Sequence, residues 1–166
     1  MYKGDADGKG IRPAIIASRY NEPIVENLVE GAARCFTEHG VDSKMIDVFW
    51  VPGAFEIPLA AKKLAETKKY DCIVCVGCVL KGETHHFEYV AQSASSGIAS
   101  VSLEADIPVM FSVILADDPR KAWSRAQGDA NRGYEGALSA LETVNVLRKI
   151  GGEKRKPAGR KRRQKN

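Results

Sequence analysis

Apolar runs of strand length punctuate the chain at 13–18 (PAIIAS), 46–51, 71–80 and 108–115, and each is followed by a stretch with apolar residues every three or four positions. After the first run, Asn21 is expected to cap a helix that has Glu22 and Pro23 in its first turn and Ile24, Val25, Leu28, Val29, Ala32 and Phe36 as its apolar stripe; Gly40 supplies the stop. The second run leads through Pro52-Gly53-Ala54-Phe55-Glu56 into a helix predicted over 57–68, and the third through Lys81-Gly82-Glu83-Thr84 into one over about 84–103. Past the fourth run, Asp118 caps a helix with Pro119 at its first position that reaches about Gln127. A last helix over 133–150 carries Ala137, Leu138, Leu141, Val144 and Leu147 on one face.

Strands that are apolar throughout, alternating with amphipathic helices, imply an α/β fold with a parallel sheet covered on both faces. Ligands of such folds bind outside the carboxyl ends of the strands, which gathers Tyr20, 53–56, 79–84 and 115–118 on one rim. The stretch 77–90 (GCVLKGETHHFEYV) stands out there. A strand, a glycine turn and a helix N-terminus present unpaired backbone N–H groups and the positive end of the helix dipole to an anion, and a histidine in the first turn sets a proton carrier beside it.

At 166 residues and 44% hydrophobic, the chain suits one domain, expected at 11–150 between a loose, glycine-rich arm at 1–10 and a basic disordered tail at 151–166. Neither a run of about 20 apolar residues nor an N-terminal apolar segment is present, so membrane insertion and secretion are unsupported and a cytoplasmic location is expected. The net charge of +4 is local: 154–166 holds eight Lys or Arg and no acid, leaving 17 basic against 21 acidic residues elsewhere. That tail reads either as a solubilising extension or as a sequence-blind polyanion binder, since it has no aromatic residue for base stacking.

Cys72, Cys75 and Cys78 have a metal-like spacing, but on a strand residues three apart face opposite ways, so they and Cys35 read as buried, reduced core residues and no metal site is expected. Tyr20 suits stacking on a flat heterocycle or, equally, capping the core edge. Glu56 suits polyol hydroxyls or a solvated helix start, and Lys81 phosphate or plain surface charge. His85 and His86 lie about 100° apart on a helix, so only one faces a given ligand, and a structural role competes evenly with acid–base work. Alone, Arg125 reads as a solvated helix charge with the reach for a bidentate phosphate contact.

Taken together, SRYN (18–21), VPGAFEIPLAAKKLA (51–65), GCVLKGETHHFEYVA (77–91), IPVMFSVI (107–114) and RAQGDANRGYEGA (125–137) resemble the 6,7-dimethyl-8-ribityllumazine synthase family over about 11–150. The resemblance implies a flavodoxin-like three-layer α/β/α sandwich with a central four-stranded parallel sheet and a cofactor-free condensation. Its substrates would be 5-amino-6-(D-ribitylamino)uracil and 3,4-dihydroxy-2-butanone 4-phosphate, in the penultimate step of riboflavin biosynthesis. By the family pattern Tyr20 stacks on the pyrimidine, Ala54, Phe55 and Glu56 hold the ribityl chain, and Cys78, Val79 and Leu80 line the heterocycle. Glu83 and Thr84 with Arg125 bind phosphate, Lys81 and Arg132 are further candidates, and His86 rather than His85 moves protons.

The same resemblance has Phe111 reaching a neighbouring subunit's site, in a pentamer or a 60-subunit icosahedral shell, and admits riboflavin synthase as a partner. Two stretches depart from the family pattern. Leu115-Ala116-Asp117-Asp118 replaces a threonine-rich turn, and 127–133 is one residue shorter and lacks the first lysine, with Arg132 standing where the later lysine would be. These changes leave open a non-catalytic lumazine- or flavin-binding shell beside the enzyme, and the basic tail leaves open a polyanion-binding assembly protein.

Overall fold

A parallel sheet buried on both faces needs strands without a polar side, and the computed structural model, which describes residues 1–152, has two at its centre. They are β1 (Pro13–Ser18), buried at every position, and β3 (Cys72–Leu80), buried over its first seven. The sheet is completed by β2 (Asp47–Val51) and β4 (Val109–Ala116) at its edges, in the order β2-β1-β3-β4, all parallel. The helices are α1 (Glu22–Glu38), α2 (Ile57–Glu66), α3 (His86–Ala105), α4 (Pro119–Ser124) and α5 (Arg132–Ile150).

Side-chain alternation divides the interior into two cores. Ile15, Ala17, Val74 and Val76 point to the layer where Val25, Leu28 and Phe36 of α1 meet Ala137 and Leu141 of α5. Ile16, Ile73 and Val113 point the other way, onto Ile57 and Ala61 of α2 and Ala94 and Ile98 of α3. The result is the expected three-layer α/β/α sandwich. Cys72 and Cys78 belong to the first core and Cys75 to the second, so the three thiols lie on opposite faces of the sheet, and all four cysteines are free and buried.

Several helix ends differ from the sequence expectation. Asn21 stands at the N-cap position of α1 but in the left-handed region (φ 59°), without a capping bond from its side chain. Helix α2 stops at Glu66 because Lys68 also turns left-handed (φ 53°), and α3 starts at His86 rather than Thr84. Helix α4 ends at Ser124 rather than near Gln127, the chain then turning at Gly128 (φ 54°), where glycine bears no Cβ penalty.

The arm at 1–10 forms no helix or strand, but it is tied down rather than loose. The Asn145 amide of α5 donates to the carbonyls of Asp5 (2.8 Å) and Asp7 (2.9 Å), and Lys149 Nζ donates to that of Lys3 (2.7 Å). Gly8 donates to the His39 carbonyl (2.7 Å). Satisfying backbone groups of an irregular segment in this way is what holds it against the body. Among the described residues no helix is long and apolar enough to cross a membrane, and the basic stretch 154–166 lies outside them.

Candidate functional site

At the carboxyl end of β1 the chain turns outward, leaving the Tyr20 ring 71% exposed and Asn21 in its left-handed conformation. The Asn21 amide donates to the Cys78 carbonyl at 2.9 Å, fastening this turn to the end of β3. Beyond β2, Gly53 opens a single 3-10 turn, Ala54–Glu56, that runs directly into α2. A Cβ at position 53 would stand 3.0 Å from Glu56 Oε2 and 3.1 Å from Tyr20 Cδ2, so carboxylate and ring both close over the bare glycine backbone. A side chain here would push both of them back by a few tenths of an ångström.

These elements enclose a cleft of about 780 Å³ lined by Tyr20, Asn21, Gly53, Ala54, Phe55, Glu56, Cys78, Val79, Leu80, His86 and Val90. It brings together every residue that the resemblance gives to the ribitylaminouracil except Phe111, and adds His86 from the first turn of α3. Burial pushes the Cys78 thiol up to about 11, so it is a neutral apolar wall rather than a nucleophile. The two adjacent histidines have different surroundings. His85 Nδ1 lies 3.1 Å from Glu88 Oε2, whereas the His86 ring has no protein partner among the described residues and borders the cleft.

Lys81, Glu83 and Thr84 are exposed in the turn above this cleft and do not line it. Lys81 N–H is used in pairing with the Ala116 carbonyl (2.8 Å), while the N–H groups of 82–84 bond to no other group of the described chain, as an anion turn requires. Thr84 Oγ1 accepts a long bond from His86 N–H (3.4 Å).

Arg125 and Phe111 lie elsewhere. They line a second cleft of about 590 Å³ along edge strand β4, where Met110–Leu115 face Arg125, Arg132, Glu135, Gly136 and Ser139. Within one chain, therefore, Arg125 is not brought to Glu83 and Thr84. Its guanidinium has no ion-pair or hydrogen-bond partner among the described residues, while Arg132 is paired with Glu135. The departing turn after β4 is neutralised locally: Lys121 pairs with Asp117 and Arg120 with Asp118, each at 2.8 Å, and these cations hold both carboxyls below their ordinary range. Asp118 caps α4 as expected, accepting from Arg120 N–H.

Sequence reasoning set Gly53 on the rim with 54–56 but gave it no role, and did not single out Asn21 or Val90 as site residues. Val90 was detectable, being four positions beyond His86 and so on the same helical face. The roles of Asn21 and Gly53 depend on contacts with β3 and Tyr20 that no local pattern announces.

A family model described as 6,7-dimethyl-8-ribityllumazine synthase matches residues 10–148. The 6,7-dimethyl-8-ribityllumazine synthase of Clostridium kluyveri is 45% identical over 151 residues, covering 90% of this chain and 98% of its own. That of Pyrococcus furiosus is 47% identical over 150 residues, covering 90% and 94%. The match runs through both clefts and all four strands, and the chain belongs to the 6,7-dimethyl-8-ribityllumazine synthase family.

Proposed function

We propose that this chain is a transferase of riboflavin biosynthesis that condenses 5-amino-6-(D-ribitylamino)uracil with 3,4-dihydroxy-2-butanone 4-phosphate to 6,7-dimethyl-8-ribityllumazine, releasing phosphate and two waters. The observation that carries this reading is the cleft in which the Tyr20 ring and the Glu56 carboxylate close over Gly53 with the free His86 ring on its border. Tyr20 stacks on the pyrimidine, Ala54, Phe55 and Glu56 hold the ribityl chain, and Cys78, Val79 and Leu80 wall the heterocycle.

The uracil's 5-amino group adds to the ketone and loses water to give an imine. Enolisation then expels phosphate, and the ribitylamino nitrogen closes the ring with loss of the second water. His86 moves protons in the addition and enolisation steps. Proximity of the two bound substrates supplies much of the remaining rate, and no step needs a metal or an organic cofactor.

The phosphate is held by the 82–84 turn with Glu83 and Thr84, by Arg125, and by Lys81 and Arg132 as further cations. Because Arg125 and Phe111 line a different cleft from His86, these parts come from adjacent copies, and the enzyme works as a homo-oligomer, a pentamer or a 60-subunit shell, with shared sites. It acts in the cytoplasm, with riboflavin synthase as a candidate partner that takes the product.

The test is a discontinuous assay of purified protein with both substrates, following lumazine fluorescence. Product formed faster than in the enzyme-free mixture supports the reading. A rate no better than enzyme-free, from folded and assembled protein, replaces it with a binding shell.

A further inference from the structure

The loop that carries the two arginines of the β4 cleft is organised by one buried side chain, Asn131, 4% exposed. Its amide nitrogen donates to the Asn27 carbonyl in α1 (2.9 Å) and to the Ala126 carbonyl (2.7 Å), and its Oδ1 accepts from Tyr134 N–H in the first turn of α5 (3.0 Å). Those bonds use both amide hydrogens and one oxygen lone pair, so the side chain has one orientation. Helix α1 admits it only through Gly31, where a Cβ would stand 2.2 Å from Asn131 Oδ1. The loop is further closed by Arg132 N–H on the Arg125 carbonyl (2.8 Å).

Asn131 thus grips the chain one residue past Arg125 and immediately before Arg132. Both arginine side chains are long and rotamer-rich, so their reach toward a phosphate is set by where their backbones are fixed. We propose that Asn131 is a positioning residue for the phosphate of the ketone substrate: it touches no substrate and sets the separation of the Arg125 and Arg132 guanidinium groups by anchoring their loop to α1. This rests on the function proposed above. The ordinary alternative is that Asn131 merely caps α5.

The two roles separate in Asn131→Asp and Asn131→Ser, because Asp and Ser both keep a capping acceptor for Tyr134 N–H but lose the donations to Asn27 and Ala126. The measurements are KM for each substrate, direct calorimetric binding of inorganic phosphate, and assembly by size-exclusion chromatography. The expected result is a rise of about 10-fold or more in KM for the ketone phosphate and in Kd for inorganic phosphate, with KM for the uracil and assembly unchanged. Gly31→Ala, whose Cβ would meet the whole Asn131 amide, disturbs anchor and cap together; where the Asn131 variants fail to fold, it is expected to weaken phosphate binding with assembly unchanged, and unchanged phosphate binding overturns the proposal.

Phosphate binding as tight as in the wild type, or both KM values moving together, overturns the proposal. Wild-type protein that binds no phosphate overturns it as well. Wild-type protein that binds phosphate with this dependence on Asn131 but does not turn over defeats the proposed function and leaves Asn131 in its role.

Discussion

The side-chain amide of Asn21 donates to the Cys78 carbonyl at 2.9 Å, joining strand ends 57 positions apart at the floor of the Tyr20 cleft. Its left-handed backbone (φ 59°) turns Tyr20 outward while the amide points in. Asn21→Ala removes a hydrogen bond with a net contribution of about 1 kcal/mol and adds roughly 1–2 kcal/mol of left-handed strain. Asn21→Gly removes only the bond. Both variants are expected to raise KM for the ribitylaminouracil. Both are expected to lower Tm, at roughly 2–4 °C per kcal/mol for a chain of this size, and the alanine variant by more because it also carries the strain. Equal melting temperatures for the two would refute the strain component, and unchanged KM in both would refute the tie.

His85 and His86 provide a paired control. The His85 ring is engaged by Glu88, and the His86 ring has no partner among the described residues and borders the cleft. His86→Ala is expected to reduce kcat by an amount near or below the lower end of the roughly 10²–10⁴-fold range for acid–base groups, because the bound substrates still react by proximity. His85→Ala should leave kcat unchanged. Complete loss of turnover in folded His86→Ala protein would give His86 a larger role than proton transfer, and a loss in His85→Ala would reverse the assignment.

Most of the fold was legible because it rests on local patterns. The alternation of Ile15 and Ile16 between two cores, the apolar length of β3, and Asp118-Pro119 at the start of α4 are visible in the sequence and hold in the structure. The differences arise where a distant contact decides. Asn21 belongs to a residue type that both caps helices and tolerates the left-handed region, and the Cys78 carbonyl selects the second use. The arm offers only polar and glycine residues, yet its carbonyls meet Asn145, 140 positions away from Asp5. In the same way, the rim rule groups loops by strand end, and only the order β2-β1-β3-β4 makes β4 an edge strand with a cleft of its own.

At the opposite end of the sheet Asp47 accepts from Arg12 Nη2 and from the Tyr70 hydroxyl, each at 2.9 Å, and these bonds, the arginine's first, hold its carboxyl below the ordinary range. A carboxyl lowered in the folded state stabilises fully above its unfolded pKa of about 4, and that contribution is lost as pH falls through the folded value. Asp47→Asn is therefore expected to be less stable than wild type at neutral pH, with the difference narrowing below about pH 4. Urea unfolding across pH 2–7 measures this. Curves that stay parallel to the acid end would show that Asp47 does not titrate as described.

Residues 154–166 combine eight cations with no acid, against a remainder that has more acidic than basic groups. On the polyanion-binding reading each tail of an oligomer would bind weakly but all would act together, so attraction would be multiplied without any sequence preference. Deleting 154–166 is expected to abolish retention of RNA at low salt while leaving lumazine synthesis unaltered, and the full-length protein should release RNA as salt is raised. Retention that survives the deletion would assign the tail no more than a solubilising role.

The division of site residues between two clefts predicts complementation. If each site joins the Tyr20–His86 cleft of one chain to the Arg125 side of its neighbour, a defect in either cleft disables the sites to which that chain contributes it. Glu56→Gln with His86→Ala impairs the first half, and Arg125→Ala the second. Assemblies co-folded from equal amounts of the two would place an intact first half beside an intact second half at about one site in four, counting random neighbours in a closed ring. Activity in the mixture well above the mean of the two separate variants is the expected outcome, rising with co-folding and absent when preformed assemblies are merely combined. If both halves of a site came from the same chain, every site in the mixture would carry one defect or the other, and co-folding would restore nothing.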